Sequence, residues 1–304
     1  MLDAKHKSSY IRGMNKLPLA TRVQILSMLC EGSSMRAISR ITGTSINTVT
    51  KLLVDAGLAA IELHEKRVRE VTSVKRLECD EIWSFCFAKQ KNASKEMKDA
   101  GEAGDVWTWT GLDPDSKLMV SWFVGDRSAE CATQFMRDLA RRVANQVQIT
   151  TDGYGGYPNA VIAEFKGKAH YAQLQKTYSS DQQSGPERRY SPAVCVGAKK
   201  IPIHGNPDPA YISTSLVERS NLTMRMSMRR FTRLTNAHSK KVANHCHALA
   251  LYFAWYNWMR PHATLKGKTP GMAAGLTDRV LTMPEFIGTM DEMEFAARLG
   301  KKSD

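Results

Sequence analysis

The sequence predicts an α/β fold, a mixed sheet with flanking helices, preceded by a small all-α unit. Three observations predict it. Residues 15–60 carry helical apolar spacing punctuated by glycines and capping serines. Residues 77–125 then switch to three short runs rich in aromatic and β-branched side chains. From residue 128 onward, amphipathic helical stretches alternate with apolar strands, the order of an α/β sheet.

Within residues 15–60, Leu19, Val23, Leu26 and Leu29 keep helical spacing and Gly32 is a natural stop. Ser33 or Ser34 caps a second short helix whose Ile38 and Ile41 are expected to face inward, and Gly43 breaks it. Thr44 or Ser45 caps a third helix carrying Ile46, Val49 and Leu52, expected to stop before Gly57. Helix, Gly-containing turn and helix is the arrangement of a helix-turn-helix reader, with Asn47, Thr48, Thr50 and Lys51 on the groove side. A plain three-helix bundle fits the same pattern. We divide the chain into a DNA-binding unit at 1–60, a charged linker helix at 61–76, a catalytic domain at 77–275 and a tail at 276–304.

Strands are expected at Leu77–Lys89, Trp107–Asp113 and Leu118–Gly125, close enough to form an antiparallel meander. A helix over Ser128–Asn145 precedes a fourth strand, Val147–Asp152. A helix at Tyr157–Phe165 and a fifth strand at Ala169–Leu174 follow. Tyr178–Ser191, rich in Ser, Gln, Gly and Pro, reads as a loop. Ala193–His204 contains Gly197 and Pro202 and reads as an edge or insertion strand. Long helices are expected over Ser213–Phe231 and Ser239–Trp258, and a surface helix over Phe286–Leu299. Three strands, helix, strand, helix, strand and then helices is the order of a ribonuclease-H-like core.

Charge points to the partner. The 304 residues hold 43 Lys+Arg against 30 Asp+Glu, a formal net charge of +13, which favours nucleic acid first and an anionic membrane surface second. Thirteen basic against six acidic residues fall before residue 77, as a DNA-docking unit requires. The longest apolar run, Ala248–Tyr256, is far short of the roughly 18 residues that span a bilayer. No secretory h-region follows the basic N-terminus, so a cytoplasmic, nucleoid-associated protein with no membrane partner is expected. The six cysteines form no CxxC pair and read as small buried side chains in a reducing compartment.

Three acids stand in suggestive places. Asp80 interrupts an apolar strand, where an acid is costly to bury unless something binds it, and alternation is taken to separate it from Glu78 and Glu81. Asp152 ends the fourth strand, although before Gly153 a turn residue is the better reading of it taken alone. Glu218 is the lone acid of the basic helix Leu216–Arg230, sharing a face with Asn221, Arg225 and Arg229, and could be half of an ion pair or a metal ligand. His245 and His247, two apart on a helix, do not share a face and make a poor zinc pair. Trp255, Tyr256 and Trp258 could stack on bases, but their Leu- and Ala-rich helix favours the core.

Taken together, CDEIWSF (79–85), TDGY (151–154) and VERSNLTMR (217–225), with GDRSAECATQF (125–135) and YNWMRPHATL (256–265), resemble the signatures of DDE transposases of the insertion-sequence-one family. The resemblance covers about 75–275 of this sequence. It implies a ribonuclease-H-like core and a DNA transposase that cleaves and joins the ends of an insertion sequence. Asp80, Asp152 and Glu218 would be the catalytic, metal-binding triad for two Mg²⁺ or Mn²⁺ ions, with Arg225 near the DNA. Asn221 would face the DNA, and Arg229 and Arg230 would neutralise phosphates on double-stranded transposon ends and target, on a homodimer or higher oligomer. Family members often carry an N-terminal cysteine zinc finger, which this chain lacks, so end recognition is expected to rest on residues 15–60. A non-catalytic helix-turn-helix regulator and a stand-alone nuclease on the same fold are the competing readings.

Overall fold

The computed structural model describes residues 16–178, 195–232 and 236–300. The chain begins with helices α1 (Leu19–Cys30), α2 (Met35–Thr42) and α3 (Ile46–Arg67). Ser34 and Ser45 cap α2 and α3 by accepting from the amides of Ala37 and Thr48, and Gly43 ends α2 in the left-handed region at φ 66°. Ile38 is buried as expected, but Ile41 is 62% exposed, because an eight-residue helix packs only one stripe. The third helix does not stop before Gly57. It runs on to Arg67, and Gly57 lies within it at a point where a Cβ would sit 2.5 Å from that of His247. The glycine is there for close helix packing, not termination.

The sheet has six strands, β1 (Arg76–Cys86), β2 (Gly104–Leu112), β3 (Met119–Gly125), β4 (Val147–Thr151), β5 (Ala169–Tyr178) and β6 (Cys195–His204), in the order β3-β2-β1-β4-β5-β6. The first three form the expected antiparallel meander; β1, β4 and β5 run parallel, and β6 returns antiparallel at the edge. Between β1 and β2 lies the short helix α4 (Lys95–Asp99). Helix α5 (Ala129–Arg142) connects β3 to β4, and α6 (Tyr157–Phe165) connects β4 to β5. This mixed α/β sheet is consistent with the expected ribonuclease-H-like architecture. The loop expected over Tyr178–Ser191 lies, past Tyr178, outside the described residues.

Two faces of the sheet are covered. A Cβ on Gly111 would touch Leu139 and Phe135 of α5, whereas the neighbouring Thr110 hydroxyl reaches Asn221 of α7 (Ser215–Ser227). Adjacent residues on β2 point to opposite faces, so α5 and α7 lie on opposite sides. Helix α7 is shorter than expected. Met228 adopts an extended conformation and Arg229–Phe231 form a separate 3₁₀ turn, which brings Met228 and Phe231 into the core.

Helix α8 (Val242–Ala254) packs along α3 and ends in a π-helical turn, Trp255–Met259. Trp255, Tyr256 and Trp258 are buried there, so they are core side chains. Asn257 in the same turn pairs with the Met119 backbone, accepting from its N–H at 3.0 Å and donating to its carbonyl at 2.9 Å. After the short α9 (Pro270–Ala273), α10 (Met283–Gly300) was expected on the surface but packs on α1 and α3, burying Phe286 and Ile287 completely. Arg22 forks onto Asp291 at 2.8 and 3.0 Å, fastening α1 to α10. No described helix is long and apolar enough to cross a membrane.

Candidate metal centre

Strand register creates the site. The pairing of β4 with β1 ends at Thr151 beside Cys79, so the next residue of each strand is an acid, Asp152 and Asp80. Beyond that point β1 has no partner on its β4 side, and Asp152 leaves the sheet where side chains from both faces of β1 reach it. Carboxylate oxygens of Asp80, Glu81 and Asp152 lie within 4.8 Å of one another. The site therefore lies at the carboxyl end of β4, beside a β1 that runs on to Cys86.

Asp80 faces α7. Its Oδ2 accepts from Asn221 Nδ2 at 2.8 Å, and its carboxyl is pushed up to about 6, first by burial and then by the charge of Asp152. Glu81 faces α5 and α6. Burial, followed by the charge of Asp152, lifts it to about 7. Its Oε2 accepts from Arg127 Nε at 3.1 Å, while Oε1 is buried without a hydrogen-bond partner. The Tyr157 hydroxyl lies close enough to favour its charged form yet is itself short of hydrogen-bonding geometry. Asp152 Oδ2 stands 3.5 Å from Arg127 Nη2, and Asp152 Oδ1 accepts from the Tyr154 amide at 3.0 Å.

Arg127 is a fixed cation. Its guanidinium lies 5.0 Å from the Trp107 ring and 4.5 Å from that of Tyr154, and the Tyr154 hydroxyl donates to its carbonyl at 2.8 Å. Glu78, set aside at the sequence level, has a structural task. It is buried and accepts from the Leu216 and Val217 amides at 2.8 and 3.0 Å, capping α7 from β1. Alternation cannot separate Glu78 from Asp80, since residues two apart share a face. Both reach α7, one to its start and one to Asn221.

The structure brings two of the three expected ligands together and adds Glu81, which sequence reasoning passed over. The rule that singled out Asp80, an acid in an apolar strand, applies equally to Glu81. Glu218 lies near enough for its charge to act on Asp80 but outside the group of three. Its Oε1 is held by the Thr214 hydroxyl at 2.6 Å and by the Lys176 ammonium.

Asn221 is buried, and its amide is engaged by Asp80. Arg230 is turned inward, donating to Ser239 Oγ at 2.9 Å, whereas Arg229 is exposed and Arg225 half-buried. At the start of α3, Asn47 and Lys51 are exposed, with Lys51 paired to Asp55. Thr48 engages Ser45, and Thr50 donates to the Ile46 carbonyl. His245 bonds Ser239 through Nδ1 in the core, and His262 packs edge-on to Tyr256.

The donor set is entirely carboxylate oxygen, the environment that Mg²⁺ and Mn²⁺ take. The partnerless Glu81 Oε1 and the raised carboxyls are what an acid group shows when its charge is not fully compensated. The residues therefore fit a divalent cation.

No protein-family model matches the chain, and no curated protein matches it. Among solved structures it matches a Mos1 transposase paired-end complex with the left transposon end, at 12% identity and a TM-score of 0.22. A Mos1 mariner paired-end complex with Mn matches at 14% identity and a TM-score of 0.21. Each covers 50% of this chain, and the chain spans 58% of the length of each. A pre-cleavage Mos1 transpososome matches at 9% identity and a TM-score of 0.27, over 84% of this chain and 81% of that one.

Proposed function

We propose that the protein is a DDE-type DNA transposase that cleaves and joins DNA ends by metal-assisted phosphoryl transfer. The observation that carries this is the convergence of the Asp80, Glu81 and Asp152 carboxylates within 4.8 Å in a chain of net charge +13. Acids gathered so closely suit a cation, and a basic protein suits a polyanion. In this reading Asp80, Asp152 and Glu218 hold Mg²⁺ or Mn²⁺, two ions in all, and Glu81 supports the group from the opposite face of β1. When bound, such ions polarise a phosphoryl oxygen and lower the pKa of an attacking water or hydroxyl.

The chain's own residues do the rest. Asn221 and the β1 backbone orient Asp80, and Arg127 holds Glu81 and Asp152 in place. Arg225 and Arg229 meet phosphates beside the site. The capped α2–turn–α3 unit reads duplex DNA as a helix-turn-helix, with Asn47, Thr48, Thr50 and Lys51 toward the groove. A homodimer or higher oligomer in the cytoplasm, on the nucleoid, holds the two ends together.

The test uses the DNA flanking the gene as donor and a plasmid as target. Wild-type protein with Mg²⁺ or Mn²⁺ is expected to give cut and joined products, and Asp152→Asn neither. Joined products persisting in Asp152→Asn would overturn the proposal. Cutting without joining identifies a nuclease, and binding without cutting a regulator.

A further inference from the structure

Glu218 is the one expected ligand that the structure does not gather, and its contacts explain why. Lys176 projects from β5, where its backbone is paired with Ala198 of β6, and its ammonium bonds Glu218 Oε1. Thr214 Oγ1 holds the same oxygen at 2.6 Å. Arg127 and Lys176, each paired with an acid here, are held differently. Arg127 is fixed between the Trp107 and Tyr154 rings, whereas Lys176 is a flexible point charge whose side chain keeps 23% exposure to solvent.

We propose that Lys176 is a displaceable counter-ion: it holds Glu218 out of the Asp80–Glu81–Asp152 group in the DNA-free protein, and a DNA phosphate draws the ammonium away so that Glu218 completes the site. This rests on the metal-dependent function proposed above. It makes Lys176 a positioning residue that couples DNA engagement to assembly of the metal centre. An ion binding without DNA must compete with the lysine for Glu218. An ion binding with DNA meets an added carboxylate and one fewer nearby cation.

The experiment is a Mn²⁺ titration of the full-length chain, followed by electron paramagnetic resonance of the free ion. Wild type, Lys176→Met, Lys176→Arg and Asp152→Asn are compared, each with and without a short DNA duplex, and the ion bound by duplex alone is subtracted. Without DNA, Lys176→Met is expected to bind Mn²⁺ roughly tenfold tighter than wild type, because a cation close to the site is gone. Lys176→Arg, which keeps the charge, should stay near wild type. Duplex should tighten Mn²⁺ binding to wild type and add little to Lys176→Met. Simple damage to the fold would weaken binding, the opposite direction.

Equal or weaker Mn²⁺ binding by Lys176→Met, with Asp152→Asn still impaired, overturns the proposal for Lys176 and leaves the metal site standing. Undiminished Mn²⁺ binding by Asp152→Asn overturns the metal site itself. Should Lys176→Met fail to fold, Lys176→Gln carries the same comparison.

Discussion

Asn221 Nδ2 donates to Asp80 Oδ2 across 2.8 Å, joining the middle of α7 to the acid that interrupts β1. The Thr110 hydroxyl closes the arrangement, 3.1 Å from the Asp80 carbonyl and 3.4 Å from Asn221 Oδ1. A helix expected to present Asn221 to DNA uses it instead to hold a candidate ligand in place. Replacing it with Leu leaves a buried carboxylate short of a donor. Asn221→Leu is expected to lose on the order of 1–3 kcal/mol of stability in EDTA. Thermal and urea unfolding check this, and an unchanged midpoint would show that the amide is dispensable.

The raised carboxyls of Asp80 and Glu81 fix the sign of a pH effect. Their folded values, about 6 and about 7, lie above the ordinary 3.8 and 4.5. The folded state therefore holds protons that the unfolded state has released. Their stabilising contribution is complete below about pH 4 and is lost as pH rises through 6 to 7. In EDTA, Glu81→Gln should thus gain on wild type between pH 5 and pH 8, by on the order of 1–3 kcal/mol. Mg²⁺ or Mn²⁺ at pH 8 should restore wild type more than the variant. Parallel stability–pH curves for the two proteins would count against this.

Much of the fold was legible because its signals are local. Ser34, Gly43 and Ser45 announce the α2–α3 turn, and the aromatic meander declares its own strands. Asp80 and Asp152 were legible as acids at strand positions. Glu81 met the same rule, but its approach to Asp152 was not legible, because it depends on β4 ending where β1 continues, a property of register between strands about 70 residues apart. Nor could helical spacing reveal the turn at Met228. The face shared by Glu218, Asn221, Arg225 and Arg229 presumes one unbroken helix, and the break sends Arg230 inward.

Gly57 tests the packing of α3 on α8. Alanine is the better helix former by about 1 kcal/mol, so propensity alone favours Gly57→Ala. A methyl group there would meet His247 Cβ at 2.5 Å and its Cα at 2.7 Å, and the backbone cannot yield cheaply. Overpacking of this kind costs about 1–3 kcal/mol, enough to reverse the sign. The expected outcome is a lower unfolding midpoint for Gly57→Ala.

Phe286 tests whether α10 belongs to the core. The residue is 1% exposed, on a helix that the sequence pattern left on the surface. Phe286→Ala is expected to cost about 3–5 kcal/mol in urea unfolding. A peripheral helix would give a small change, or a separate early transition.

Lys51 and Arg230 separate DNA contact from architecture. Both were expected to meet DNA, yet Lys51 is exposed at the start of α3, while burial pulls Arg230 down to about 10 among Ser239, Asn244 and the Cys86 and Cys246 thiols. An exposed cation on a phosphate shows itself in the salt dependence of binding, and a buried one in stability. Lys51→Ala should therefore reduce the slope of log affinity against log salt on duplex DNA by about 1 and leave stability within about 0.5 kcal/mol. Arg230→Ala should leave that slope unchanged and lower stability by about 1–3 kcal/mol, through lost packing and two abandoned acceptors. Fluorescence anisotropy at several salt concentrations, with thermal unfolding of the same samples, reads both quantities. If the two variants exchange behaviours, the groove-facing role of α3 is wrong and the 3₁₀ turn after α7 is the DNA contact.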